Sequence, residues 1–141
     1  MVQFYLENIS FPLPSEDSLE KWLNKIASQH NAQIENINYI FCDDEYLLNI
    51  NKEYLNHDYY TDIITFPYKE GESIESDIFI SIDRVKENAD AHDQTFEKEL
   101  LRVISHGLLH LIGFKDKDEA DQEIMRQMES KCIFLYYDMF V

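Results

Sequence analysis

The stretch that most constrains this chain is "FEKELLRVISHGLLHLIGFKD", residues 96–116. At 3.6 residues per turn, Leu100, Leu101, Val103, Ile104, Leu108, Leu111 and Ile112 make a helix apolar almost all round. Such a helix has almost no solvent face, so the other elements must be built around it. Thr95 stands at the N-cap position, with Lys98 where a capping box has its acid, and Glu97 and Glu99 bring negative charge to the first turn. Gly113 follows the last apolar residues, where a left-handed helix stop is usual. Two imidazoles, His106 and His110, interrupt the apolar surface in the second half of this helix.

The flanking elements follow from hydrophobic period. "VQFYLEN" alternates and reads as a strand, and "FPLPSED" as a loop. Leu19, Trp22, Leu23 and Ile26 mark a helix opened by Pro14, Ser15 and the acids after them. "AQIENINYIFCD" reads as a strand with a break in strict alternation. Asp43 or Asp44 caps a helix carrying Leu47, Leu48, Ile50 and Leu55. "TDIITFPY" and "DIFISI" are strands joined by a polar connection around Gly71, Asp83 starts a short helix, and a final helix begins near Asp118, with Ile124, Met125, Met128, Ile133 and Leu135 as its apolar residues. This order predicts one α/β (α+β) sandwich over residues 1–141, a single domain. Its small mixed sheet of about four strands packs with helices, and the histidine helix is central.

Composition narrows the function classes. No run approaches the eighteen or so apolar residues of a membrane span. "MVQFYLENIS" lacks the basic flank of a signal peptide, and Cys42 and Cys132 are isolated. Cytoplasmic residence, with no membrane partner and no organic cofactor, is the expectation. The net charge is −16, which argues against a broad nucleic-acid-binding surface. A local basic groove, drawing on Lys115, Lys117, Arg84, Lys86, Lys98 and Arg102, is then needed for any RNA chemistry.

Residues four apart share a helix face, so His106 and His110 can aim both rings at one ion. The structural alternative is a pair of hydrogen-bonded, inert histidines. Asp116, six residues past His110, would point away if the helix continued. With the helix stopped at Gly113, "FKD" folds back and presents Asp116 to the same ion. Two histidines and one carboxylate leave an open position for water, the pattern of a catalytic zinc site. Gly107, mid-helix, suggests either close backbone packing or clearance beside the site. It also stands where HExxH metallopeptidases have their glutamate base, which counts against a peptidase.

These residues resemble the YbeY-type endoribonucleases, whose signature is similar to HGxLHLxGYDH. "HGLLHLIGFKD" matches it at His106, Gly107, Leu109, His110, Leu111 and Gly113. "NKEYLNHDYYTDIITF" resembles the family's LNxxYR…TDVLSF block, "ESDIFIS" its GDIVIS strand, and "EIMRQME" its M…E helix, so the likeness covers roughly residues 48–130. The resemblance implies a single-strand-specific, zinc-dependent endoribonuclease. Such an enzyme matures the 3′ end of small-subunit rRNA and serves late ribosome quality control, with ribosomal RNA and the small subunit as partners. It makes His106 and His110 metal ligands. Asp116 stands where the family has a third histidine, Leu55 where it has an arginine, and Ser76 where it has the glycine of GDI. His57 is a candidate substitute for that arginine or for a catalytic role. Tyr59 and Tyr60 are candidates for base stacking, whereas Ile63, Ile64 and Phe66 read as sheet core. Two rival readings stand beside this one: a ribosome-associated assembly protein with a structural metal, and a metal-dependent peptidase.

Overall fold

The computed structural model describes all residues, 1–141. Four strands, β1 (Val2–Leu6), β2 (Gln33–Cys42), β3 (Ile63–Lys69) and β4 (Ser73–Ser81), form one sheet in the order β1-β2-β4-β3. β1, β2 and β4 are parallel, and β3 runs antiparallel to β4 through a tight turn at Gly71, whose φ is +90°. Five helices complete the chain: α1 (Glu16–Gln29), α2 (Asp44–Leu55), α3 (Ile82–Ala91), α4 (Phe96–Ile112) and α5 (Glu119–Phe140).

Side chains alternate across a strand, and here both faces are used. Ile74, Ile78 and Ile80 of β4 join Ile37, Tyr39 and Phe41 of β2 in the main core with α1, α4 and α5. The opposite parity places Ile64 in a smaller cluster with Leu47 and Ile50 of α2, against Phe66 and Phe79. Leu100, Leu101, Val103, Ile104, Leu108 and Leu109 of α4 are fully buried. Two buried polar tips fix the layers. The Tyr39 hydroxyl donates to the Ile104 carbonyl at 2.9 Å, and the Trp22 indole N–H donates to the Cys132 carbonyl at 2.8 Å. A Cβ on Gly107 would lie 3.1 Å from Ile63 Cδ1 and 3.1 Å from Ile78 Cδ1. The glycine therefore serves close packing of α4 on the sheet, rather than clearance at the histidines.

The cap expected at Thr95 is present, the helices expected to open near Ser15 and Asp118 are capped by those residues, and Asp43 rather than Asp44 caps α2. The irregularity in β2 is a register shift between Ile34 and Asn36. Some boundaries differ from the sequence reading. Ser81, not Asp83, caps α3, because its hydroxyl reaches the Arg84 N–H, while Asp83 accepts from the Asp44 N–H at 2.9 Å. β4 begins at Ser73, since the hairpin to β3 is tighter than the polar residues suggested. Leu55 and Ile124 are exposed. The buried stripe of α5 is instead Met125, Glu129, Cys132 and Tyr136.

Candidate metal centre

Two elements and the turn between their ends position the polar cluster. The α4 helix stops at Gly113, where the Gly113 N–H reaches the Leu109 and His110 carbonyls and the Phe114 N–H returns to Leu109. The φ of Gly113 is +131°, wider than the left-handed helical basin expected there but still glycine territory. Phe114 then packs on the core and against the His30 ring, edge to face at 5.3 Å. Gln122 of α5 donates to the Asp116 carbonyl at 3.1 Å. Held from both sides, the segment folds back and carries the Asp116 carboxylate to the histidine face.

There the three side chains converge. His106 Nε2 and His110 Nε2 are 3.0 Å apart, His110 Nε2 and Asp116 Oδ2 3.2 Å, and His106 Nε2 and Asp116 Oδ2 3.5 Å. A tetrahedral ion with ligand bonds of about 2.0–2.1 Å has ligand–ligand edges of about 3.3–3.4 Å. The observed triangle fits that size with little movement. The donor set, two imidazole nitrogens and one carboxylate oxygen, suits a first-row dication such as zinc.

His106 and Asp116 of the triangle line a cleft of about 480 Å³ between α4 and α5, with Glu99, Arg102, Gln122, Arg126 and Glu129 around them, and His110 stands behind them. Its floor is anionic. Arg102 is held by the nearly fully buried Glu99, by Glu129 at 3.5 Å and by Asp62 at 3.5 Å. Burial alone would depress the Arg102 pKa. The hydrogen bonds that Arg102 donates to Glu99 and the charges of Glu99, Glu129 and Asp62 outweigh that and raise it. Three carboxylates thus hold Arg102, and Asp116 adds a fourth negative charge at the cleft, a field that favours a bound cation.

Several expected residues lie elsewhere. His57 and Leu55 do not line the cleft. The His57 ring stacks on Tyr59 at 5.2 Å and contacts its hydroxyl through Nδ1 at 3.1 Å. Tyr60 donates to Glu45 at 2.6 Å, and the Arg84 guanidinium sits over its ring. Arg84 itself is bound to Asp44 and Glu87. Of the basic residues gathered from the sequence, only Arg102 lines the cleft, together with Arg126, which that reading did not single out. Glu129 was also missed. Its signal was the acid that ends the "EIMRQME" block: Glu129 falls on the buried stripe of α5 and meets His106 and Arg102 of α4.

The family profile described as Endoribonuclease YbeY matches residues 5–136. This chain belongs to the YbeY endoribonuclease family. The match takes in the end of β1 and all of α1 and β2, beyond the YbeY motif blocks of residues 48–130. The Flavobacterium psychrophilum protein named Endoribonuclease YbeY is 47% identical over 137 residues, 97% of each chain. The Cytophaga hutchinsonii protein of the same name is 50% identical over 133 residues, 94% of this chain and 93% of its own. Among solved structures, the solution structure of TM1509 from Thermotoga maritima matches with a TM-score of 0.71 at 26% identity, covering 99% of this chain and 91% of that one. No helix is long and apolar enough to cross a membrane.

Proposed function

We propose that residues 1–141 form a metal-dependent endoribonuclease selective for single-stranded RNA, with zinc held by His106, His110 and Asp116. Its role is maturation of the small-subunit rRNA 3′ end and late ribosome quality control in the cytoplasm. The observation that carries this reading is the nitrogen–nitrogen–oxygen triangle, two of whose members, His106 and Asp116, line a solvent-accessible cleft. Only three protein ligands converge, which leaves a coordination position for water or substrate, as in catalytic rather than structural zinc sites. A dication there supplies charge to a phosphoryl oxygen and acidifies water.

The chain supplies the surroundings. Arg126, exposed and paired only with Glu123, is free to exchange that partner for a phosphate of the strand. Arg102 is already committed to three carboxylates and balances the cleft floor. The opening is narrow in its positive charge, and the rest of the surface is acidic. Binding therefore depends on entry of a flexible single strand rather than on a broad duplex-binding face. Gly107 removes the glutamate base of an HExxH peptidase, and its position against Ile63 and Ile78 leaves no room for one.

The test is cleavage of a labelled single-stranded RNA by purified protein, with and without chelator, beside the same sequence as a duplex. Turnover of the single strand that is lost on chelation and restored by zinc is expected. RNA binding without turnover in the metal-loaded protein would replace the nuclease by an assembly role.

A further inference from the structure

We propose that Glu129 is a positioning residue that fixes the ring orientation and tautomer of His106, and that Arg102 holds Glu129 for this task. The inference rests on the metal reading only for its consequence, since the geometry exists in the chain alone. Glu129 Oε2 lies 2.5 Å from His106 Nδ1, and Glu129 is 4% exposed on a helix stripe otherwise made of Met125, Cys132 and Tyr136. A glutamate in that company is costly unless its oxygens are satisfied. Both are: one meets the histidine, and the other meets Arg102 Nη1 at 3.5 Å.

An ionised carboxylate only accepts hydrogen bonds, so the Nδ1 of His106 carries a proton. In the neutral ring, Nε2 is then the lone pair, and Nε2 is the nitrogen that faces His110 and Asp116. The arrangement is a carboxylate–histidine pair aimed at the candidate ligand triangle. It raises the basicity of the ligand nitrogen and removes ring rotation as a cost of binding. Three of the residues lie along one helix face, Glu99, Arg102 and His106, which ties the support to the ligand helix itself.

The experiment uses the full chain and two substitutions, Glu129→Gln and Glu129→Ala. Arg102 keeps Glu99 and Asp62 in both, so the helix interface retains an ion-pair anchor. Nitrogen-15 imidazole spectra of the metal-free protein at about pH 8, well above the ordinary histidine range, read the tautomer directly. The expected result is Nδ1–H at His106 in the wild type, retained in Glu129→Gln and lost in Glu129→Ala. Zinc affinity, measured by competition with a chromophoric chelator, falls about 10-fold in Glu129→Gln and up to about 100-fold in Glu129→Ala. Glu87→Gln, at an exposed carboxylate remote from the cleft residues, leaves both readouts unchanged. An Nε2–H tautomer in the wild type, or wild-type zinc affinity in Glu129→Ala, overturns the proposal. Failure of the wild type to take up zinc overturns the metal reading instead, and the tautomer spectra still decide the role of Glu129.

Discussion

Asp116 and Asp118 are two residues apart, carry the same side chain and are given opposite tasks by the fold. Asp116 presents Oδ2 to both histidines, whereas Asp118 caps α5, accepting from the Asp121 N–H at 2.8 Å. Replacing each by alanine separates the two tasks. Asp116→Ala removes one of three ligand atoms. The loss should exceed the 10–100-fold associated with supporting residues around a metal, so more than about 100-fold in zinc affinity is expected. Its metal-free stability should hardly change, because Asp116 is partly exposed and its carboxylate has only the histidines for partners. Asp118→Ala removes an N-cap, worth about 1 kcal/mol, or about 3–5 °C in melting temperature for a chain of this size. Zinc affinity should fall less than about threefold, through fraying of the first turn that carries Gln122. Calorimetric melting of the metal-free proteins and chelator competition supply the four measurements. Equal loss of zinc in both variants, or a greater loss in Asp118→Ala, refutes the assignment of the third ligand.

Gly113→Val should lower zinc occupancy in a protein still folded by circular dichroism. The added side chain meets open space but a φ of +131° that β-branched residues scarcely adopt, a strain of about 1–3 kcal/mol. Full occupancy would show that the turn tolerates another path to Asp116. Leu55→Arg should leave the melting temperature within about 2 °C, since the side chain is exposed and buries no cation. Cleavage of single-stranded RNA should rise if the segment from Leu55 to Asp62, which reaches Arg102, delivers the guanidinium to the cleft; an unchanged rate would rule out a phosphate-clamp role at this position. Burial, with nearby carboxylates, pushes both Cys42 and Cys132 up to about 12. Neither thiol should react with iodoacetamide at about pH 8 until the chain is unfolded. Because these folded-state values are raised, the associated stability is present below the ordinary thiol range and declines as pH climbs toward about 12. A denaturation series across that window checks the sign.

The sequence by itself determined the elements whose causes are local. The all-round apolar pattern of residues 100–112 made α4 central, Thr95 and Asp118 placed helix starts, and the alternation of β2 carried its own irregularity. The convergence of His106, His110 and Asp116 was also legible, because helical period and a glycine stop fix where those side chains can point. Boundaries were less so: Ser81 displaced Asp83 as a cap because Asp83 was drawn to the Asp44 N–H, a contact across 39 positions. Tertiary structure alone decided the support of the site. Glu129 sits 23 residues from His106, and Asp62 sits 40 from Arg102, so neither pairing leaves a trace in local spacing. It also decided that His57 and Leu55 stay outside the cleft and that Arg126 lines it. Backbone propensity and side-chain period act over a turn or two of chain. A buried carboxylate, by contrast, can persist only where a distant cation and a distant ring are brought to it.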